Sequence, residues 1–342
     1  MRLPRIPNNL RTPVAIGLLL SITFIVILLD LSWAPRSLTL SEVWAVITGN
    51  GTWGNNVIVL NINLPRVVMG LIVGAGLAVS GAVMQALFRN PMASPYILGL
   101  SSGASLGAAI GMLFTISFIP AAISMPILAF IFCFITMMLV YSLSRVGGHI
   151  HTETLLLAGI AVGAFMSALV SFFTFIAGDK MEGIVFWSMG SLSRASVENI
   201  ILIFPIVFAG VMIMTLLSKE LNAMMLGDAH AMDLGVNVKN IRLILLICTT
   251  LVTAASVAFV GVIGFVGLVI PHIVRLLVGP DNRKVIPISI LGGAAYMVAC
   301  DYIAHAFSST VGVLPIGIIT AMIGGPYFIY LLRRRKKQVG WS

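Results

Sequence analysis

From Asn90 to Ser144 the chain runs 55 residues without one Asp, Glu, Lys or Arg. A soluble fold cannot cover its surface with so long an uncharged stretch. The rest of the sequence is similar: 59% of its 342 residues are hydrophobic and 9% are charged, against about 25% in an ordinary soluble domain. Mean hydropathy is +1.09. The solvent for most of this chain is lipid.

Lipid dictates the secondary structure. A backbone without water must bond to itself, which for apolar runs of this length means helices, and about 20 residues cross the hydrocarbon core. Such runs fall at about 13–33, 64–86, 95–116, 121–143 and 153–176, and at about 199–217, 240–258, 259–278, 285–304 and 314–332. The expected fold class is all-α, a polytopic membrane protein of ten transmembrane helices. The seventh and eighth runs are nearly continuous, with the turn expected near Phe259 to Gly264. Pro13 to Leu29 follows three arginines but lacks small-residue cleavage spacing, so it reads as a retained span.

Charge sets the sidedness. With the first span leaving the cytoplasm, 16 of the 20 Lys and Arg fall inside, including the Arg333–Lys337 tail. Arg36, Arg66, Lys180 and Arg194 fall outside. This positive-inside bias places both termini in the cytoplasm. It also makes the net charge of +9 a topology signal rather than a sign of nucleic-acid binding. The longest exposed segments, about 32–63, 177–198 and 218–239, are too short for a soluble catalytic domain, so 1–342 reads as one membrane domain.

No catalytic residue is expected, because acids, histidines and nucleophiles do not converge. No phosphate loop ending in Gly-Lys-Ser/Thr occurs, so ATP chemistry is not expected in this chain. No metal site is expected either. Cys133, Cys248 and Cys300 are scattered in apolar runs, His272 stands alone, and His149, His151 and Glu153 read as loop polarity. Gly99, Gly103, Gly107 and Gly111 recur every four residues along one helical face, where small residues let two helices approach closely. That face, with Ser101 and Ser102, reads as close helix packing, as a border of a translocation path, or as both.

Several blocks together are more specific. Gln85-Ala-Leu-Phe-Arg-Asn-Pro-Met-Ala-Ser-Pro95 is followed by Ile97-Leu-Gly-Leu-Ser-Ser-Gly-Ala104. Leu64-Pro-Arg66, Leu226-Gly-Asp-Ala229 with Leu234-Gly-Val236, Phe265 to Arg275, and Leu314-Pro-Ile-Gly317 with Thr320, Gly324 and Pro326 complete the set. In this order, from about residue 40 to 332, the chain resembles the membrane subunits of type II ABC importers for iron–siderophore complexes, haem and vitamin B12. The resemblance implies ten helices per subunit and pairing with a second copy or close homologue around a central path. It also implies two cytoplasmic ABC ATPase subunits, which bind the ATP and Mg2+, and an external substrate-binding protein. The resemblance implies no cofactor in this chain and a place in the cytoplasmic (inner) membrane.

The resemblance also allots roles. The 218–239 segment is the expected ATPase coupling region, through Leu221, Met224, Met225, Leu226, Gly227, Asp228, Ala229, Asp233, Leu234 and Gly235. Gln85, Arg89, Asn90 and Pro91 form an inner turn or gate. Arg36, Arg66, Lys180, Arg194 and His305 are candidates for docking the binding protein. One corner departs from the family pattern: His305 stands where the family often has Arg, and Val313 where it often has an acid. Losing both signs together avoids an unpaired charge. Iron–siderophore import is the favoured function, with haem or vitamin B12 import as the alternative. An ion-coupled secondary transporter is the rival of another class, but it would need ionisable groups near mid-span, and the expected spans are nearly free of them away from their ends.

Overall fold

A computed structural model describes residues 8–33, 38–114, 120–146, 149–150, 152–307 and 312–339. Helix α1 is Asn8–Ser32, α2 Leu40–Ile47, α3 Trp53–Asn56, α4 Leu64–Leu87, α5 Leu100–Leu113, α6 Ala121–Leu143 and α7 Thr152–Ile176. Then come α8 Met181–Ser188, α9 Val197–Leu216, α10 Ser218–Met225, α11 Asp228–Asp233, α12 Val238–Val260, α13 Val266–Val278, α14 Asn282–Ala306 and α15 Ile316–Val339. Among the described residues the exception to helix is a two-residue antiparallel pairing of Arg145–Val146 with His149–Ile150.

The helices form a centre and a rim. In the most apolar stretches, 78% of Trp53–Leu87, 72% of α12 and 61% of α14 is buried, against 11% of α1 and 22% of each of α7 and α9. The rim helices therefore present apolar side chains outward, as lipid or a partner subunit requires.

Among the described residues, seven helices are long and apolar enough to cross a membrane, while 100–113, 266–278 and 316–331 are shorter apolar helices. The expected full-length runs at 95–116 and 259–278 are thus shortened, for visible reasons. Pro95 starts a 3-10 turn over Pro95–Leu98, and Gly99 at φ 74 ends it before α5. The α12–α13 break falls at 261–265, where it was expected, with Gly261 at φ 75 and Phe265 at φ 67. Such irregular backbone is tolerated at membrane depth where protein covers it. The second span is longer than expected: α3, a π-helix over Val57–Asn63 and α4 run on as one 35-residue rod. Pro65 in the first turn of α4 has no N–H to return to the preceding turn, which accounts for the widened helix before it.

Glycine decides how closely the central helices cross. A Cβ on Gly81 of α4 would fall on the Gly267 carbonyl of α13, and one on Gly74 would fall on the Gly293 carbonyl of α14. The regular glycine face is also a packing face. Gly103 and Gly107 lie against the α6 backbone at Phe132 and Leu128, and Gly99 touches Gly163 of α7. Overpacking a core costs about 1–3 kcal/mol when side chains can yield, and here backbone is met. Gly81→Leu is therefore expected to lose at least that much. A fluorescence size-exclusion assay in mild detergent should show aggregated or absent protein, with Gly54→Leu, whose Cβ meets nothing, as the tolerated control.

Candidate functional site

The two ends of the bundle carry different polar chemistry. At the end holding the start of α4 and the finish of α1 and α14, four ionisable groups are buried together. Arg66 is 5% exposed, and Asp30, Asp301 and His305 are also buried. Arg66 Nε lies 2.7 Å from Asp301 Oδ2, close in charge though not aligned as a hydrogen bond. Its Nη2 donates to Asp30 Oδ1 at 3.3 Å, and its Nη1 lies 3.1 Å from His305 Nε2. His305 Nδ1 lies 2.9 Å from the Asp301 carbonyl. These distances fit one tautomer: Nδ1–H donates to the carbonyl and Nε2 accepts from Arg66. Trp33 Nε1 donates to the His305 carbonyl at 2.9 Å, and the buried Asn63 amide donates to the Leu31 carbonyl at 2.9 Å.

This geometry corrects the docking assignment of Arg66 and His305. Neither presents its charge to a partner. They join α1, α4 and α14 from within, and a second guanidinium at position 305 would face Arg66. Among the remaining docking candidates, Arg194 is exposed. It borders a cavity of about 220 Å³ with Phe186, Trp187, Ser191, Ser193 and Phe259. Lys180 is exposed, but its Nζ donates to the Met112 and Leu113 carbonyls at 2.8 and 3.3 Å, capping α5. Arg36 lies outside the described residues.

At the other end, beside Arg89 and Arg242, the 218–239 segment folds as two short helices, α10 and α11. The ten coupling candidates divide by burial. Leu221 and Met224 are buried in the core and seat α10 on the bundle rather than facing a partner. Met225, Gly227 and Asp228 are half-buried, while Ala229, Asp233 and Gly235 are exposed. Leu226 is 71% exposed and Leu234 67%, with Met232 between them at 58%. An amphipathic helix pair thus spends one face on its own bundle and leaves a second apolar face uncovered.

Arg89, Asn90 and Pro91 lie beside that segment. Arg89 Nη2 donates to Asp228 Oδ1 at 3.1 Å. Asn90 Oδ1 accepts from the Met92 N–H at 3.0 Å, closing the turn. Gln85 is buried and its Nε2 donates to the Leu268 carbonyl of α13 at 3.0 Å, so it bonds across helices. Ser102 Oγ lies 2.9 Å from Ser167 Oγ of α7, while Ser101 is half-buried beside it. Sequence reasoning missed Asp30, Asn63, Asn222 and Asn282 as structural polar groups. Asp30 was detectable, because an acid inside an apolar span needs a partner.

The sequence profile of the FecCD transport family matches residues 22–334. The chain belongs to that family. It is 43% identical to the cobalamin import permease of Halobacterium salinarum over 82% of this chain and 74% of that one. With the hemin transport permease of Yersinia pestis it shares 38% over 94% of this chain and 96% of the relative. A solved ABC transporter assigned to the metal-chelate type, in an inward-facing conformation, superposes with a TM-score of 0.81 at 31% identity. That match covers 94% of this chain and 99% of the other. Function follows from membership: this is the membrane-embedded, multi-pass permease subunit of an ABC importer.

The buried cluster makes its own prediction. Removing one member of a buried ion pair costs about 3–5 kcal/mol. Arg66→Met is therefore expected to lower the thermal unfolding midpoint in detergent sharply, and adding Asp30→Asn and Asp301→Asn to recover most of the loss. An Arg66 that served only to dock a partner would leave the midpoint unchanged.

Proposed function

We propose that this permease imports an iron–siderophore complex across the cytoplasmic (inner) membrane. Haem and cobalamin are the alternatives, favoured by the names of its relatives. Ten spans with both termini in the cytoplasm fit the seven long helices plus the three shorter apolar ones, together with the positive-inside count. Spans rich in Gly, Ala, Met and Leu, and nearly free of ionisable groups away from their ends, suit a large preassembled chelate better than a bare ion needing charged ligands. Selection then rests with an external binding protein that docks near Arg194, and the path forms between two copies of the chain.

ATP and Mg2+ bind in two cytoplasmic ATPase subunits. The observation that carries this reading is the uncovered apolar face at Leu226, Met232 and Leu234. An exposed apolar patch beside a polar segment marks a protein contact, and burying two leucines contributes about 1.5–3 kcal/mol each.

The test is purification of the tagged permease from its native membrane, with copurifying proteins identified and ATP hydrolysis assayed against candidate loaded binding proteins. An ATPase partner stimulated by one loaded binding protein supports the reading and names the cargo. No partner, under conditions that preserve a control ABC complex, overturns it. Leu226→Glu with Leu234→Glu is expected to abolish ATPase copurification while leaving the permease's own unfolding midpoint unchanged.

A further inference from the structure

The coupling segment is tied to the bundle by two polar latches of different character. At α10 the latch is half-buried. Asn222 Nδ2 donates to Asp281 Oδ1 at 2.7 Å, and Asn222 Oδ1 accepts from the Asn282 backbone N–H at 2.9 Å and its Nδ2 at 2.8 Å. Arg275 extends the network from Asn282 Oδ1 (2.8 Å) to the Ala82 carbonyl of α4 (2.9 Å). The Arg283 guanidinium, with Asn222 assisting, holds the Asp281 carboxyl well below the usual carboxylate range. This latch keeps its charges and hydrogen bonds across the physiological pH range.

At α11 the latch is one residue. Asp228 Oδ1 accepts from Arg89 at 3.1 Å, and Oδ2 accepts from Arg242 of α12 at 2.7 Å. Three elements meet at this carboxylate: the turn after α4, the start of α11 and the start of α12. Arg89 adopts φ 47, a backbone region that residues other than glycine seldom occupy. It lies two residues beyond α4, the helix at the centre of the bundle. The pair is accessible, with the Arg89 side chain 48% and the Asp228 side chain 39% exposed. Such a contact can rearrange without a large desolvation cost.

We infer that Asp228 is the positioning residue through which movement of α11 reaches the α4–α5 turn, with α10 as the fixed anchor. The inference rests on the reading that an ATPase subunit docks on α10–α11. Leu226, Met232 and Leu234 take the partner, while the Asp228 carboxylate grips the two arginines. One turn before Arg89, Gln85 bonds to α13, so displacement of the turn also pulls on α13.

The experiment uses the complete transporter, permease with ATPase subunits, in liposomes with its loaded binding protein. Asp228→Asn, Arg89→Gln, their double variant and Asp228→Glu are compared for ATPase copurification, ATP hydrolysis and cargo imported per ATP. Asp228→Asn is expected to keep the ATPase subunit and hydrolysis but to lower import per ATP about fivefold, at the lower end of the range of site-to-site coupling. The double variant is expected to be no worse than Asp228→Asn, which already removes the shared contact, and Asp228→Glu to restore most coupling. Unchanged import per ATP, or defects that multiply in the double variant, would overturn the inference. So would selective loss of the ATPase subunit in Asp228→Asn, which would make Asp228 a docking contact. Absence of the ATPase from the wild-type complex would instead sink the docking reading. Should Asp228→Asn not fold, Arg89→Gln, which trims an exposed side chain, decides by the same readouts.

Discussion

Backbone-to-backbone approach at the crossings of α4 sets the geometry of everything else. In lipid there is no hydrophobic gain from bringing two apolar helices together, so association depends on close packing and on polar contacts. Gly81 against Gly267 and Gly74 against Gly293 bring three helices within backbone contact. With α4 held there, its polar residues have only certain partners. Gln85 reaches the Leu268 carbonyl, the Ala82 carbonyl reaches Arg275, and Arg66 and Arg89 lie at opposite ends of α4.

Those two arginines show how burial changes the meaning of an ion pair. Arg66 is enclosed with two aspartates and a histidine, and it staples α1 to α14 where neither charge could stand alone. Arg89 meets its aspartate at an exposed surface, where the net gain is about 0–1 kcal/mol and the contact can be made and broken. One end of α4 is thus fixed by electrostatics that cannot be taken apart cheaply. The other is joined to the segment expected to move.

Much of the fold was legible in the sequence. Scarcity of charge implied lipid, lipid implied helices, and the positions of the runs match observed helices within a few residues over 121–143 and 153–176. The α12–α13 turn lay where Gly261 and Gly264 suggested. Helix length was less legible: α5 and α13 are shortened because Gly99 and Phe265 take left-handed conformations that no hydropathy window registers. The coupling segment was legible as a segment, but not residue by residue. Leu221 and Leu226 have the same chemistry, and only the rotation of α10 against the bundle buries one and exposes the other.

By itself, then, the sequence determined the solvent, the helical class, the order of the spans and, through its motif blocks, the family. These depend on composition and local pattern, which one strand of text carries in full. Tertiary structure decided which charges are structural and which are available. His305 lies 239 residues from Arg66, and Asp228 lies 139 from Arg89. Whether an arginine meets a partner protein or its own chain depends on which distant helix the glycines allow to lie beside it.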